Sequence, residues 1–201
     1  MNDFFVPAGY GEYELVEKRS RFIGRVWPVY TQNEAIERIN QVRQMHKEAT
    51  HNVFAYSIKA ENAIKVSDDG EPSKTAGLPM LDILRYEELV NVLAVVTRYF
   101  GGTLLGTGGL IRAYSGSVKQ ALALASIKEA KLMYGYRTKI AYHFYDKLEY
   151  DLKKQGAIIK EVKFSEEVVI CFYIEDKTIL ERLKNTTNNS IKIKELDSIY
   201  L

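Results

Sequence analysis

The chain has 201 residues, of which 46% are hydrophobic and 27% are charged, and its formal net charge is +2. This composition can form a hydrophobic core and excludes an intrinsically disordered chain, while the small net charge excludes the overall basicity of a typical nucleic-acid-binding domain. The single cysteine, Cys171, excludes an intrachain disulfide and fits a reducing cytosol. No apolar run approaches the ~20 residues of a membrane span, so we expect a cytoplasmic protein without membrane contact.

The first part of the chain alternates between strand and helix patterns, which predicts an α+β domain over residues 1–135. An apolar stripe at helical spacing follows Thr31, which is a suitable N-cap residue. The Asp-Asp-Gly triplet at 68–70 predicts a turn. In chain order, the predicted elements are strands at 12–17 and 22–30, a helix from Thr31 to about Met45, strands at 51–59 and 64–67, and a short helical segment that begins at Ser73 or Thr75 and ends at Leu84.

A buried strand, a glycine-rich loop and a long helix are predicted between Asn91 and Tyr114. The aliphatic run from Val92 to Val96 predicts the strand, and Thr107 is a suitable N-cap for the helix. The loop between them contains Gly101, Gly102, Gly106, Gly108 and Gly109.

Two interpretations of this loop remain open. Free backbone N–H groups and the positive end of the helix dipole converge there, so the loop can bind an anion. Alternatively, the glycines allow a tight turn in which strand and helix pack closely. The loop has neither the Gly-Lys-Ser/Thr of a Walker A motif nor the acidic residue of a dinucleotide fingerprint. The anion interpretation predicts ligand contacts from the five glycines, from Thr107, and from the flanking Arg98 and Arg112.

The polar loop before the short helix is a further candidate for function. Its carboxylates could hold Mg²⁺, but a turn followed by a helix cap uses acidic residues in the same way and is the favoured interpretation. His46 and His51 would need a third ligand to hold a metal, so hydrogen bonding is favoured for both. No metal, cofactor or catalytic residue is predicted. The residues expected to support the ligand site are Asp68, Asp69, Glu71, Ser73, Thr75 and His51.

Basic and aromatic residues interleave near the N-terminus, at Lys18, Arg19, Arg21, Phe22, Arg25 and Trp27. Such interleaving on one sheet face is used by single-stranded RNA binders. Phe22 and Trp27 are five residues apart, however, and therefore face opposite sides of a regular strand. We favour core packing for both aromatic side chains.

The second predicted domain covers residues 136–201, and a strand or strand pair over 131–142 leads into it. Gly156 is a suitable stop for the first of its two helices. The predicted order is a strand at 139–144, a helix over Tyr145 to Leu152, strands at 157–164 and 168–174, a helix that begins at Asp176, and a strand at 191–196. This β-α-β-β-α-β order is typical of the ferredoxin-like unit.

Four stretches resemble motifs of the YigZ/IMPACT family and keep the order of the family. They are KRSRFIG at 18–24, ATHNVFAY at 49–56, SDDGEPSKTAGLPML at 67–81 and TRYFGGTLLGTGGLIRAY at 97–114. Two positions depart from the expected pattern: Lys74 stands where a glycine is expected, and Leu78 stands where a basic or similar residue is expected.

The resemblance implies a two-domain α+β fold. The N-terminal domain would be an α/β sandwich like the second domain of a small-subunit ribosomal protein and like domain four of elongation factor G. The C-terminal domain would be ferredoxin-like, as in bacterial members of the family and in domain five of the same factor. Eukaryotic relatives regulate translation under amino-acid shortage through a partner of an initiation-factor kinase.

The expected function is therefore non-catalytic and linked to translation, with RNA or the ribosome as partner, by analogy of fold. The alternative is a protein or enzyme that uses the glycine-rich loop to bind a small phosphate-bearing ligand or nucleotide. A deep pocket that combines Arg98, Arg112 and the acidic loop would favour the small ligand. A shallow basic groove would favour RNA.

Overall fold

The protein forms two compact units in a computed structural model that describes residues 4–201: one unit ends at Ala130 and the other begins at Lys131. The domain boundary predicted from the sequence, at Gly135, differs from this division. Gly135 lies inside a strand of the second unit, where it pairs with Tyr173 and Leu196. None of the helices within residues 4–201 has the length and apolar character needed to cross a membrane.

The first unit is built on a five-stranded antiparallel sheet with the strand order β2-β3-β6-β4-β5. The strands β1 and β7 pair with each other in a separate two-stranded ribbon. The elements are β1 (Phe4–Pro7), β2 (Gly11–Glu17), β3 (Ser20–Pro28), α1 (Gln32–Met45), β4 (His51–Ile58), β5 (Ala63–Ser67), α2 (Gly77–Tyr86), β6 (Val92–Tyr99), α3 (Gly106–Ala125) and β7 (Ile127–Ala130).

Helices cover both faces of this sheet, which explains why the central strand β6 has no polar alternation. Val92, Ala94 and Val96 pack in a core with residues of α2 and α3. Leu93 and Val95 face the other way, into a core with residues of α1. A strand buried on both faces has a continuous apolar sequence, so the predicted buried strand at 92–96 is confirmed.

The aromatic side chains of β3 also divide between the two cores. Phe22 is fully buried in the core under α3, whereas Trp27 is partly buried against the core under α1. The predicted core role of both residues is confirmed.

The start of α1 follows the sequence prediction, but the starts of α2 and α3 do not. The Thr31 hydroxyl accepts a hydrogen bond from the Glu34 N–H at 3.1 Å, as an N-cap should. The helix α2 begins at Gly77, later than Ser73 or Thr75, because Asp68 accepts from the Gly77 N–H at 2.8 Å and fixes the helix end from outside.

Thr107 is likewise not a cap. The helix α3 begins at Gly106, so Thr107 lies in its first turn and the N-cap residue is Leu105.

The second unit has the predicted β-α-β-β-α-β order. Its elements are β8 (Leu132–Ile140), a short 3-10 helix (Tyr142–Phe144), α4 (Tyr145–Lys154), β9 (Ile158–Phe164), β10 (Val168–Ile174), α5 (Ile179–Thr186) and β11 (Lys192–Tyr200). All sheet neighbours are antiparallel in the order β11-β8-β10-β9. The strand predicted at 139–144 is wrong in its second half, where the chain turns into the 3-10 helix. Gly156 has a φ of +74°, which confirms the predicted helix stop.

Side chains of this sheet alternate between a helix-covered face and an opposite face. Tyr136, Ile140, Ile170 and Phe172 pack with residues of α4 and α5 in the core of the unit. Their sequence neighbours on β8 and β10 point away from both helices, since successive strand residues face opposite sides. The α+β fold class predicted from the sequence is thereby confirmed.

Candidate functional site

The acidic loop between β5 and α2 is held together by its own carboxylates. Asp68 accepts hydrogen bonds from the backbone N–H groups of Lys74 (2.9 Å), Ala76 (3.2 Å) and Gly77 (2.8 Å). Asp69 accepts from the Asn52 N–H at 2.7 Å and pairs with Arg43 at 3.1 Å. These contacts agree with the interpretation of the loop as a turn followed by a helix cap.

The hydroxyl groups of this loop also act locally. Thr75 donates to the Pro72 carbonyl at 2.7 Å, and Ser73 is exposed. Across residues 4–201, no three His, Cys, Asp or Glu side chains come together in a way that could hold a metal ion.

Lys74 departs from the family pattern at a position where the backbone favours glycine. Its φ is +64°, in the left-handed region that residues with a Cβ rarely adopt. The expected glycine is therefore explained by the loop conformation. Leu78, the second departure, packs against the core under α3.

We expect Lys74→Gly to raise the free energy of unfolding by up to about 1.5 kcal/mol. Removing the left-handed strain stabilises by roughly 1–2 kcal/mol, and the extra entropy of an unfolded glycine offsets about 0.5–1 kcal/mol of this. Urea denaturation measures the change. Lys47→Gly is the matched control, since Lys47 is also an exposed turn residue but has no positive φ. A loss of stability in both variants would contradict the prediction.

A buried ion pair joins the acidic loop to β6. Arg98 Nη1 donates to Glu71 Oε1 at 2.6 Å, and the Tyr114 hydroxyl on α3 donates to the same oxygen at 2.7 Å. The two charged side chains are only 6% and 3% exposed, respectively. Burial, followed by the nearby Glu71 carboxylate, raises the pKa of Tyr114 above its ordinary value, so the phenol stays protonated and remains a donor.

The guanidinium of Arg98 is only partly used by this pair. It lies between the rings of Phe22 and Phe100, 5.3 and 5.5 Å from their centroids. Its Nη2 has a long contact of 3.5 Å with the Ser20 hydroxyl, and its buried Nε has no hydrogen-bond partner. A buried donor without a partner is energetically unfavourable, so Arg98 has unused hydrogen-bonding capacity.

His51 lies beside the carboxylate with its tautomer fixed by the loop. Its Nδ1 is 2.7 Å from the Asp69 carbonyl oxygen, and since a carbonyl only accepts, Nδ1 carries a proton. The Nε2 atom of the ring lies 3.8 Å from Glu71 Oε1. His46 is bonded elsewhere, to Arg25 at 2.7 Å and Tyr99 at 2.8 Å. The favoured hydrogen-bonding role of both histidines is confirmed.

A cavity of about 460 Å³ opens above these groups and is called here the Arg98 pocket. Glu71, Arg98 and His51 supply polar atoms, and Gly106 and Thr107 bring the first turn of α3 to the same cavity. Apolar side chains complete the lining: Pro72, Phe100, Leu104, Leu105 and Leu110.

The predicted ligand contacts fall into distinct groups. Arg98, Gly106 and Thr107 line the Arg98 pocket, whereas Gly109 and Arg112 line a separate depression of about 210 Å³ beside β2. An added Cβ at Gly101 would overlap the backbone of Arg19 and Ser20. Gly102 and Gly106 have positive φ values of +81° and +72°, and the other three loop glycines do not. A Cβ at Gly108 would make only an ordinary contact of 3.6 Å with the Arg112 side chain, whereas one at Gly109 would overlap Leu105.

Sequence reasoning missed the apolar part of the pocket. Phe100 and Leu104 lie in the glycine-rich loop and are 46% and 82% exposed. Large apolar residues in a loop of small ones are a usable signal, because exposed apolar side chains that cluster mark binding surfaces.

A second surface feature, also missed, lies in the second unit and is called here the basic face. Lys139 on β8 is directly opposite Lys192 on β11, and Arg137 is directly opposite Lys194. Directly opposed residues share one face of the sheet, and all four are exposed. Together with Ile193 they form a shallow depression of about 340 Å³. The signal in the sequence is the period-two spacing of basic residues in two predicted strands.

Comparison with known proteins agrees with the two-domain architecture. The Impact N-terminal domain matches residues 18–122. The IMPACT family member YvyE of Bacillus subtilis is 42% identical over 205 residues, covering 100% of this chain and 94% of its own length. The IMPACT family member YigZ of Escherichia coli is 36% identical over 146 residues, with 71% of this chain and 72% of that protein covered. A crystal structure of a hypothetical protein superimposes with a TM-score of 0.70 at 29% identity, over 98% of both chains. The chain belongs to the IMPACT family.

Proposed function

We propose that this protein is a non-catalytic, translation-linked protein that binds RNA, free or in the ribosome, through the basic face. The link to translation rests on its family, in which eukaryotic relatives regulate translation. The single observation that carries RNA binding is the basic face, where four cations are opposed in pairs across two strands.

The arrangement of these charges favours an anionic partner. Like charges directly opposite each other destabilise a sheet, and a polyanion would relieve this repulsion. The chain as a whole carries a net charge of only +2, so the basicity is local. An exposed sheet face is also the surface on which ferredoxin-like RNA-recognition domains bind single strands.

We expect the double variant Lys139→Gln/Lys192→Gln to weaken RNA binding and to flatten its salt dependence. Each phosphate contact to a single strand contributes about 0.7 to the slope of log K against log salt, so loss of two contacts lowers the slope by about 1.4. Fluorescence anisotropy of a labelled single-stranded RNA at several salt concentrations gives both quantities.

The matched control is Lys147→Gln/Lys184→Gln, which removes two exposed lysines from α4 and α5 on the helix side of the same unit. This control keeps the net charge equal to that of the test variant. If both double variants lowered the slope equally, binding would depend on overall charge and the basic face would have no special role.

A second candidate function is the binding of a small phosphate-bearing ligand in the Arg98 pocket. The observation that favours it is the concave site in which Arg98, Glu71 and the first turn of α3 meet. Arg112 and Gly108 are not among the residues that line this pocket, so the anion interpretation retains Arg98, Gly106 and Thr107 as its contacts. Inorganic phosphate is the simplest probe for this candidate, because a ligand that binds the folded state raises the melting temperature.

A further inference from the structure

We propose that the Arg98 pocket binds one nucleoside monophosphate unit, with the phosphate at the N-terminus of α3 and an amino-bearing base against Phe100. This inference rests on the second candidate function above and assigns its ligand class. It does not depend on RNA binding by the basic face.

The size and lining of the pocket suit a small amphipathic ligand. A volume of about 460 Å³ lies in the range of small-molecule sites, which are mostly apolar with a few polar groups that fix orientation. The polar groups here lie at two places, Glu71 with Arg98 and His51 on one side and the first turn of α3 on the other.

The first turn of α3 provides the place for the phosphate. Leu105, its N-cap residue, has no side-chain oxygen to accept from the first N–H groups, so these donors are available to an anion. The 20-residue helix adds its dipole.

Arg98 gives an independent indication of a ligand. It is nine-tenths buried, lines the pocket, and has an Nε without a hydrogen-bond partner. Glu71 neutralises its charge, so the pocket has little net charge of its own. A small ligand with one phosphate therefore fits better than a highly charged one.

Phe100 provides a surface on which the planar base of a nucleotide can stack. The residue is 46% exposed, and its ring centroid lies 5.5 Å from the Arg98 guanidinium. Base–aromatic stacking is a general means of binding nucleobases, and the neighbouring Leu104 and Leu110 extend the apolar wall.

The polar atoms beside Phe100 select the edge of the base. Glu71 contributes carboxylate oxygens to the lining of the pocket, and these atoms only accept hydrogen bonds. A base with an exocyclic amino group, such as adenine or cytosine, donates to such acceptors. Uracil has carbonyl oxygens at its edge and is disfavoured.

The test is calorimetric titration of the full chain with AMP, CMP, UMP, adenosine and inorganic phosphate. We expect AMP and CMP to bind at least tenfold more tightly than UMP, and AMP at least tenfold more tightly than adenosine. Phe100→Ala should weaken AMP binding about 5- to 150-fold, the range observed for base–aromatic stacking. Phe164→Ala, which removes an exposed aromatic ring in the other unit, should leave AMP binding unchanged.

The outcomes separate the nucleotide assignment from the second candidate function, phosphate binding in the Arg98 pocket, on which it rests. If phosphate binds but the nucleotides bind no better, the phosphate site stands and the nucleotide assignment is overturned. If neither phosphate nor nucleotide binds, both are overturned. Equal affinity for AMP and UMP, or an unchanged affinity of Phe100→Ala, would refute the proposed base contact.

The nucleotide unit can be free or part of an RNA strand, and competition distinguishes the two. A 5′-phosphorylated oligoadenylate that displaces AMP, and loses this ability in Phe100→Ala, assigns the site to an RNA end. An oligoadenylate that leaves AMP binding unaffected assigns it to a free nucleotide.

Discussion

Arg98→Ala should lower the free energy of unfolding by about 3–5 kcal/mol, the usual effect of removing one partner of a buried ion pair. The variant leaves the Glu71 carboxylate buried without its cation, since Tyr114 supplies only a neutral donor. It also removes the guanidinium that packs between Phe22 and Phe100.

Urea denaturation of a double-mutant cycle separates these effects. Replacing both partners, as in Arg98→Met/Glu71→Gln, removes the uncompensated charge and should recover much of the loss. Arg112→Ala is the matched control, because this exposed arginine lies on the surface of α3, and a change within about 0.5 kcal/mol is expected. A loss below about 1 kcal/mol in Arg98→Ala would mean that the pair does not stabilise the fold.

Gly101→Ala should lower stability by about 3 kcal/mol, at the upper end of what overpacking produces, whereas Gly108→Ala should raise it by about 0.5–1 kcal/mol. The Cβ at Gly101 would overlap backbone atoms of Arg19 and Ser20 in the tight turn between β2 and β3. Backbone cannot rotate away as a side chain can. At Gly108, inside a helix, the new methyl group would make only an ordinary contact of 3.6 Å with the flexible Arg112 side chain.

Melting temperature and urea midpoint check both glycine variants. Equal losses in the two variants would show that Gly108 also serves packing, which would contradict the prediction.

The two interpretations of the glycine-rich loop therefore apply to different residues. The close-packing interpretation describes Gly101 and Gly109, each of which meets neighbouring atoms where a Cβ would stand. Gly102 and Gly106 supply positive φ. Only Gly108 has neither a close neighbour at the position of a Cβ nor a positive φ. The fold therefore does not explain why a glycine stands at this position.

Local signals were sufficient to predict most of the fold. The cap at Thr31, the apolar run of β6 and the ferredoxin-like order each depend on neighbours in sequence. The pairing of Phe4 with Ala130 could not be predicted in this way, because two four-residue strands have no periodicity of their own. The start of α2 could not be predicted from local sequence either, because it is set by Asp68, nine residues before Gly77.

Several polar residues of the Arg98 pocket were named from the sequence, but their arrangement was not predicted. Arg98 and Glu71 were both named, yet their pairing across 27 residues depends on how the loop folds back onto β6. The separation of Arg112 from the pocket, by contrast, could have been derived. Arg112 follows the pocket residue Leu110 by two positions on α3, and residues two apart lie on nearly opposite sides of a helix.

The opposed cations of the basic face imply that the second unit folds against its own electrostatic repulsion. Screening by salt or occupancy by a polyanion removes this repulsion, so either should make the unit more resistant to heat. Salt has the opposite effect on affinity, because it competes for the same charges. At a fixed salt concentration, thermal resistance in a cell extract would thus report how much of the protein is engaged with an anionic partner at that moment.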